Sequence, residues 1–283
     1  MFANAMQLKG WIKNRSKQTG TSANVLLQSY FMERLLERIS LSSYRDKMIL
    51  KGGFLIAAMV GMENRSTIDM DTTLKRMQVD IQNINAMLSE IIAVDIGDGV
   101  EFEIQSIDVI HEAWEYDNFR VGILAKFHAV NVKIKIDMTT GDTVIPGEIK
   151  YDYRLMFEDR TITIMAYNLY TILAEKIETI LSRNVANTRG RDFYDVYILL
   201  SMNKNAISHG ELLEAIKIKA KERGSIHIME NYAKHLQDID ESPEIAKIWL
   251  AYSRGYSYAK GIQLTNILAL IDDVFHSDKW RKS

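Results

Sequence analysis

The sequence predicts an α+β protein, with its α+β core over about residues 50–160, helices before it and an all-helical half after it. Three observations carry this. Between residues 68 and 137, short segments alternate apolar and polar residues with the two-residue period of strands. Before residue 50 and after residue 166, apolar residues recur near the helical period of 3.6. Pro146 and Pro243 are the only prolines, so long helices are permitted nearly everywhere.

Taken in order, Leu8, Trp11 and Ile12 mark the apolar stripe of a first helix, which Gly20 ends. Ser22 is placed to cap a second, in which Val25, Leu26, Tyr30, Met32, Leu35, Leu36 and Ile39 share a face. Lys and Arg fill the remainder, which reads as a solvated face in preference to a nucleic-acid surface. Ile68–Leu74, Glu101–Val109 and Val121–Val130 read as strands. Val132–Asp137 alternates most clearly, with Val132, Ile134 and Ile136 on one side and Lys133, Lys135 and Asp137 on the other. Ile81–Val94 reads as a helix on the sheet, and turns are expected at Gly97-Asp98-Gly99 and Gly141-Asp142. Helices follow over Asn168–Arg183, Arg191–Ser201, Gly210–Arg223, Pro243–Arg254 and Leu264–Phe275.

Composition excludes several classes. The chain has no cysteine, which removes disulfides, thiolate metal clusters and thiol catalysis and suits a reducing cytoplasm, the expected location. No apolar run approaches the ~20 residues of a membrane span. The net charge of −2 carries no global nucleic-acid signature. Charge is uneven, however: Met1–Lys51 holds nine Lys/Arg against three Asp/Glu. With Trp11 and Tyr30 interleaved, that stretch could track RNA phosphates.

The chemistry concentrates in Lys51-Gly52-Gly53, a short apolar helix, and then Arg65-Ser66-Thr67-Ile68-Asp69-Met70-Asp71. In a strand, Asp69 and Asp71 project to the same face. Carboxylates that close repel unless a cation lies between them, and Mg²⁺ is a natural partner because it shares its oxygen ligands with phosphates. Paired glycines let backbone approach a triphosphate, and the helix start behind them favours anions. Arg65, Ser66 and Thr67 carry suitable phosphate donors. Two readings stand for Asp137: a third carboxylate of the site, or a strand-end acid facing solvent beside Lys133 and Lys135. Further on, Lys176 sits among Leu173 and Ile177, and Asp192 and Asp195 share a helix face near its N-terminus. Glu175, Glu178 and Arg183 read as a solvated face.

The order Gly-Gly, short helix, Asp-x-Asp strand resembles the nucleotidyltransferase fold. Leu50-Lys51-Gly52-Gly53, the Arg65–Asp71 run, Leu173-Ala174-Glu175-Lys176 and Arg191-Asp192-Phe193-Tyr194-Asp195 together resemble the abortive-infection toxins of the AbiEii/AbiGii family, from about Leu8 to about Leu200. The resemblance implies a polymerase-beta-like mixed sheet, with residues 1–160 as the core and residues 161–283 as a helical domain completing the active site. It also implies the toxin of a two-gene, type IV-like toxin–antitoxin pair. That toxin would move a nucleotide from a nucleoside triphosphate, GTP or a pyrimidine nucleotide, to an acceptor such as the 3′ end of tRNA. The partner gene would encode an antitoxin. On this resemblance Asp69, Asp71, Lys176 and Asp192 are catalytic. Asp69 and Asp71, with Asp137, hold Mg²⁺, while Lys51, Gly52, Gly53, Arg65, Ser66, Thr67 and Arg191 bind nucleotide. Asp192 either orients Lys176 or binds metal. The family often places Ser or Thr after the glycines, where this chain has Phe54. Transfer onto protein and a nonenzymatic nucleotide-binding module are the competing readings.

Overall fold

The computed structural model describes residues 1–110 and 118–276, and the chain divides into two compact units. The first comprises Met1–Asp142 and Glu148–Tyr167; the second comprises Thr143–Gly147 and the chain from Asn168 on. The division follows Tyr167 because the preceding segment is a strand of the sheet.

The first unit runs α1 (Ala5–Thr19), α2 (Ala23–Leu41), β1 (Met48–Lys51), α3 (Gly52–Val60), β2 (Asp69–Leu74), α4 (Ile81–Ile92), β3 (Glu101–Ile110), β4 (Asn118–Phe127), β5 (Val130–Thr140), β6 (Ile149–Arg154) and β7 (Thr161–Ala166). The strands form one mixed sheet in the order β3-β4-β5-β2-β1-β7-β6. β2 lies parallel to β5 and antiparallel to β1, and β1 is parallel to β7. Alternation places Val121, Ile123 and Ala125 of β4 and Val132, Ile134 and Ile136 of β5 in the core under α2. The intervening residues of β5, Lys133, Lys135 and Asp137, look the other way.

The expected elements are present with ends shifted by a few residues; α1 ends at Gly20, whose left-handed φ of 72° suits glycine. Two expectations of solvated charge are overturned, the first of them in α2. The charged residues of α2 do not form a solvated face: Glu33, Arg34, Glu37 and Arg38 are all buried. Arg38 grips Asp98 at 2.8 and 2.9 Å and also donates to the Val100 carbonyl, so the Gly97–Gly99 turn is an anchor point. Arg160 donates twice to Glu37 at 2.6 Å, and Arg34 donates to Glu158 at 2.9 Å. These cations are taken up inside the unit because helix α2 lies beneath the sheet, where charge must be paired. The exposed positive stripe that remains near the N-terminus is Lys9, Lys13 and Lys17, one helical turn apart on α1.

The second unit is helical: α5 (Leu169–Arg183), α6 (Gly190–Met202), α7 (His209–Glu222), α8 (Ile226–Glu230), α9 (Tyr232–Glu241), α10 (Pro243–Gly255) and α11 (Leu264–His276). The Asn168 side chain caps α5 and donates to the Ile145 and Gly147 carbonyls at 2.8 and 2.7 Å, tying the 143–147 segment to this unit. Glu178, expected on a solvated face, is instead buried and accepts from Arg223, Ser182 and Ser225. Tyr252 and Tyr258 pack against buried Tyr194, with ring centroids 6.0 and 4.8 Å away. No helix among the described residues is long and apolar enough to cross a membrane.

Candidate active site

The site begins with a strand pairing. In the parallel β2–β5 ladder Asp71 is the register partner of Asp137, and Asp69 of Lys135. In the antiparallel β4–β5 ladder Arg120 is the partner of Asp137. Register partners share a face, so three carboxylates and two cations from three strands emerge together on the side opposite α2. Asp69 and Asp71 are half-buried. Arg120 holds Asp137 with two parallel bonds, Nε to one oxygen and a terminal nitrogen to the other, both 2.8 Å. These bonds and the charge of Asp137 raise the guanidinium above its ordinary pKa; burial pulls against them, and Asp69 and Asp71 add smaller contributions to the rise.

The chain enters this face from β1. Lys51 caps the start of α3, and Gly52 follows with a φ of 70°, a conformation that glycine adopts without strain. A Cβ on Gly52 would lie 1.9 Å from Oδ2 of Asp71, so backbone and carboxylate touch only because no side chain intervenes. A Cβ on Gly53 would lie 3.0 Å from the Thr67 hydroxyl and 3.1 Å from an Arg65 terminal nitrogen. The structure thus gathers Gly52, Gly53, Arg65, Thr67, Asp69, Asp71 and Asp137 in one neighbourhood. Arg65 is buried and donates to the Ser66 carbonyl. Lys51 turns its ammonium to Asp142, 2.6 Å away, and over the Tyr167 ring. Phe54 is buried and stacks on Tyr153 at 5.8 Å. At that position the chain has a core residue in place of a hydroxyl.

Among the described residues no group of three or more His, Asp or Glu is spaced to hold a metal ion. The donor set nevertheless fits Mg²⁺, which commonly takes one or two protein carboxylates and completes its sphere with water and substrate phosphates. Asp69 and Asp71, hard oxygen donors on one face beside a helix start, supply that pair.

In the second unit Lys176 of α5 is held by Asp192 and Asp195 of α6, at 2.5 and 3.0 Å. Burial alone would lower the lysine; the carboxylates of Asp195 and Asp192 more than offset it and hold the ammonium above its ordinary value. Both aspartates are buried, whereas Arg191 is exposed. Asp192 therefore has Lys176 as its partner in this structure.

Sequence reasoning missed Arg120. The signal was present, because β4 and β5 form a hairpin turning at His128-Ala129. Counting back equally from that turn lands Arg120 on Asp137.

A mixed sheet with Gly-Gly at a helix start pressed against an Asp-x-Asp strand defines the nucleotidyltransferase-like class. The chain matches the profile of the AbiEii nucleotidyl transferase toxins of type IV toxin–antitoxin systems over residues 34–266, and it belongs to that family. No curated protein matches it in sequence. Among solved structures it is similar to a candidate nucleotidyltransferase from H. pylori, at 12% identity, TM-score 0.48, with 90% of this chain and 94% of that one covered. JHP933 from Helicobacter pylori is similar at 13% identity and TM-score 0.47, covering 89% of this chain and 90% of that one. An antigenic nucleotidyltransferase-like protein from Paracoccidioides brasiliensis follows at 13% and 0.38, with 69% and 91% covered.

Proposed function

We propose that this protein is a toxin that transfers a nucleotide from a nucleoside triphosphate to an RNA acceptor, the 3′ end of tRNA. The observation that carries the reading is the contact between Gly52 and Asp71, on a face that also holds Asp69, Asp137 and Arg120. An acceptor hydroxyl attacks the α-phosphorus. The new P–O bond forms as the α–β anhydride breaks, pyrophosphate leaves, and the hydroxyl proton passes to solvent.

Asp69 and Asp71 would hold Mg²⁺, which supplies charge neutralisation at the transferring phosphoryl group. Gly52 and Gly53 let the backbone at the start of α3 approach the triphosphate. Thr67 and Arg65, packed against Gly53, offer it a hydroxyl and a guanidinium. Arg120 and Lys135 keep the acidic face from repelling an incoming polyphosphate. The family resemblance adds Lys176 and Asp192 to the reaction, and a cognate antitoxin as the regulating partner.

The experiment incubates the purified protein with Mg²⁺, each labelled triphosphate in turn and total tRNA, beside Asp69→Ala. Label on tRNA with the intact chain alone is the expected result, and it identifies the nucleotide. Label on protein would replace the RNA acceptor, and turnover retained by Asp69→Ala would overturn the metal assignment.

A further inference from the structure

Helix α1 carries a row of cations that the rest of the chain leaves uncovered. Residues 1–32 hold three lysines and one arginine and no acid. The helix turns Leu8 and Ile12 into the core and rests Trp11 on Phe157, with ring centroids 4.5 Å apart. Lys9, Lys13 and Lys17 are all exposed and point roughly 150° around the helix from that apolar side. None of the three has an ion-pair partner among the described residues. Glu158, the acid that approaches the start of the chain, is already held by the N-terminal amine, Arg34 and Arg160. Arg15 is on the inward side of α1, where it lines a cavity with Glu63 and Asp159.

The chemistry of the outward face selects its partner. Beside the lysines the helix contributes Met6 and Gly10 and no aromatic ring. Trp11 is packed on Phe157 and Tyr30 is buried, so neither is free to stack on the splayed bases of a single strand. The apolar and aromatic anchors that drive a protein interface are likewise turned inward. A row of ammonium groups requires only phosphates. Lysines one turn apart advance about 6 Å each, a step short enough for each to meet a successive phosphate of one strand. Gly10 lies between them with nothing within 4 Å of where a Cβ would stand, so a nucleic-acid backbone can come close there.

We propose that α1 is a docking face for double-helical RNA, with Lys9, Lys13 and Lys17 holding the phosphate backbone of the stem that leads to the acceptor end. The choice of RNA rests on the transfer reading above. The position suits a stem: α3 runs about 13 Å from Gly52 to Val60, and the cavity that Arg15 and Thr19 line lies at its Gly61 end. The lysines thus stand away from the triphosphate, where the body of a long acceptor would lie.

The test measures binding of the full chain to a short fluorescent RNA duplex with both 3′ ends blocked and no triphosphate present. Oligouridylate of the same length, phosphatidylserine vesicles and polyglutamate serve as the competing partners. Tighter binding to the duplex is expected. The triple variant Lys9→Gln, Lys13→Gln, Lys17→Gln should weaken it about ten-fold or more. It should also lower the slope of log affinity against log salt by about three, one for each lost phosphate contact. The triple variant Lys234→Gln, Lys247→Gln, Lys260→Gln removes the same charge from exposed positions of the second unit and should change neither quantity. Absence of duplex binding, preference for the single strand, equal losses in the two triple variants, or binding of vesicles or polyglutamate in place of RNA would each overturn the proposal. Because the duplex offers no acceptor hydroxyl, failed label transfer beside intact duplex binding strikes the transfer reading alone. Retained transfer without duplex binding strikes the docking face alone.

Discussion

Arg120 grips Asp137 by both carboxylate oxygens, and Asp137 is the register partner of Asp71. The third acid of the face is thus neutralised by a cation from the next strand. About half of the Arg120 side chain is exposed, so this pair contributes on the order of 1 kcal/mol or less to stability. Its larger effect is electrostatic, since it places a positive charge where a metal ion would be drawn.

Arg120→Met should therefore leave the melting temperature nearly unchanged and tighten divalent-cation binding several-fold. Manganese titration followed by electron paramagnetic resonance measures this. Weaker binding in the variant would mean that Arg120 positions the acids and does not compete with the ion.

Gly52→Ala and Gly53→Ala should separate sharply. The first puts a methyl group 1.9 Å from Asp71 and forces alanine to a φ of 70°. Left-handed strain alone costs on the order of 1–3 kcal/mol, so both fold and transfer should suffer. At Gly53 the near atoms are side-chain ends at 3.0 and 3.1 Å, which can yield. Thermal melts with label-transfer assays on both variants check the contrast.

Lys176→Met should strongly destabilise the second unit. It leaves Asp192 and Asp195 buried beside each other without their cation, and breaking such a cluster costs roughly 3–5 kcal/mol. Asp192→Asn should cost less, because Asp195 still pairs the lysine. Urea denaturation gives both numbers, and equal losses would refute the shared-cation account.

Stability should also carry the signature of Glu33. Burial lifts its carboxyl from 4.5 to about 7, against the Met156 N–H, Arg34, Tyr153 and the Phe157 N–H, which pull it down. Between those values the folded chain holds a proton that the unfolded chain has released. The favourable contribution is full below about 4.5 and lost as pH rises to about 7, leaving a penalty of about 3 kcal/mol. Glu33→Gln has no such penalty. Its stability relative to the parent should rise by about 2–3 kcal/mol from about pH 5 to about pH 8. Parallel pH profiles for the two proteins would contradict the raised value.

Much of this was legible in sequence. Alternation found β5, periodicity found the longer helices, and Gly52-Gly53 followed by Asp69-Met70-Asp71 located the acidic face. What escaped depended on partners distant in sequence. β1, β6 and β7 are short and were not read as strands. The charges of α2 look solvated by composition, and only Asp98, Glu158 and Arg160 reveal why they are buried. A pairing of Lys176 with Asp192 is one of the two roles that the sequence leaves open for that aspartate, whereas the second bond, from Lys176 to Asp195, has no signal in the sequence.

The β2–β5 ladder joins segments 66 residues apart, with the β3–β4 hairpin lying between them in the chain. Local contacts can form β3 with β4, and then β5, while β2 waits. During synthesis, Asp69 and Asp71 leave the ribosome well before the strand that aligns them beside Asp137. The acidic face is a late product of folding, so a nascent or truncated chain ending before β5 carries the motif without the site.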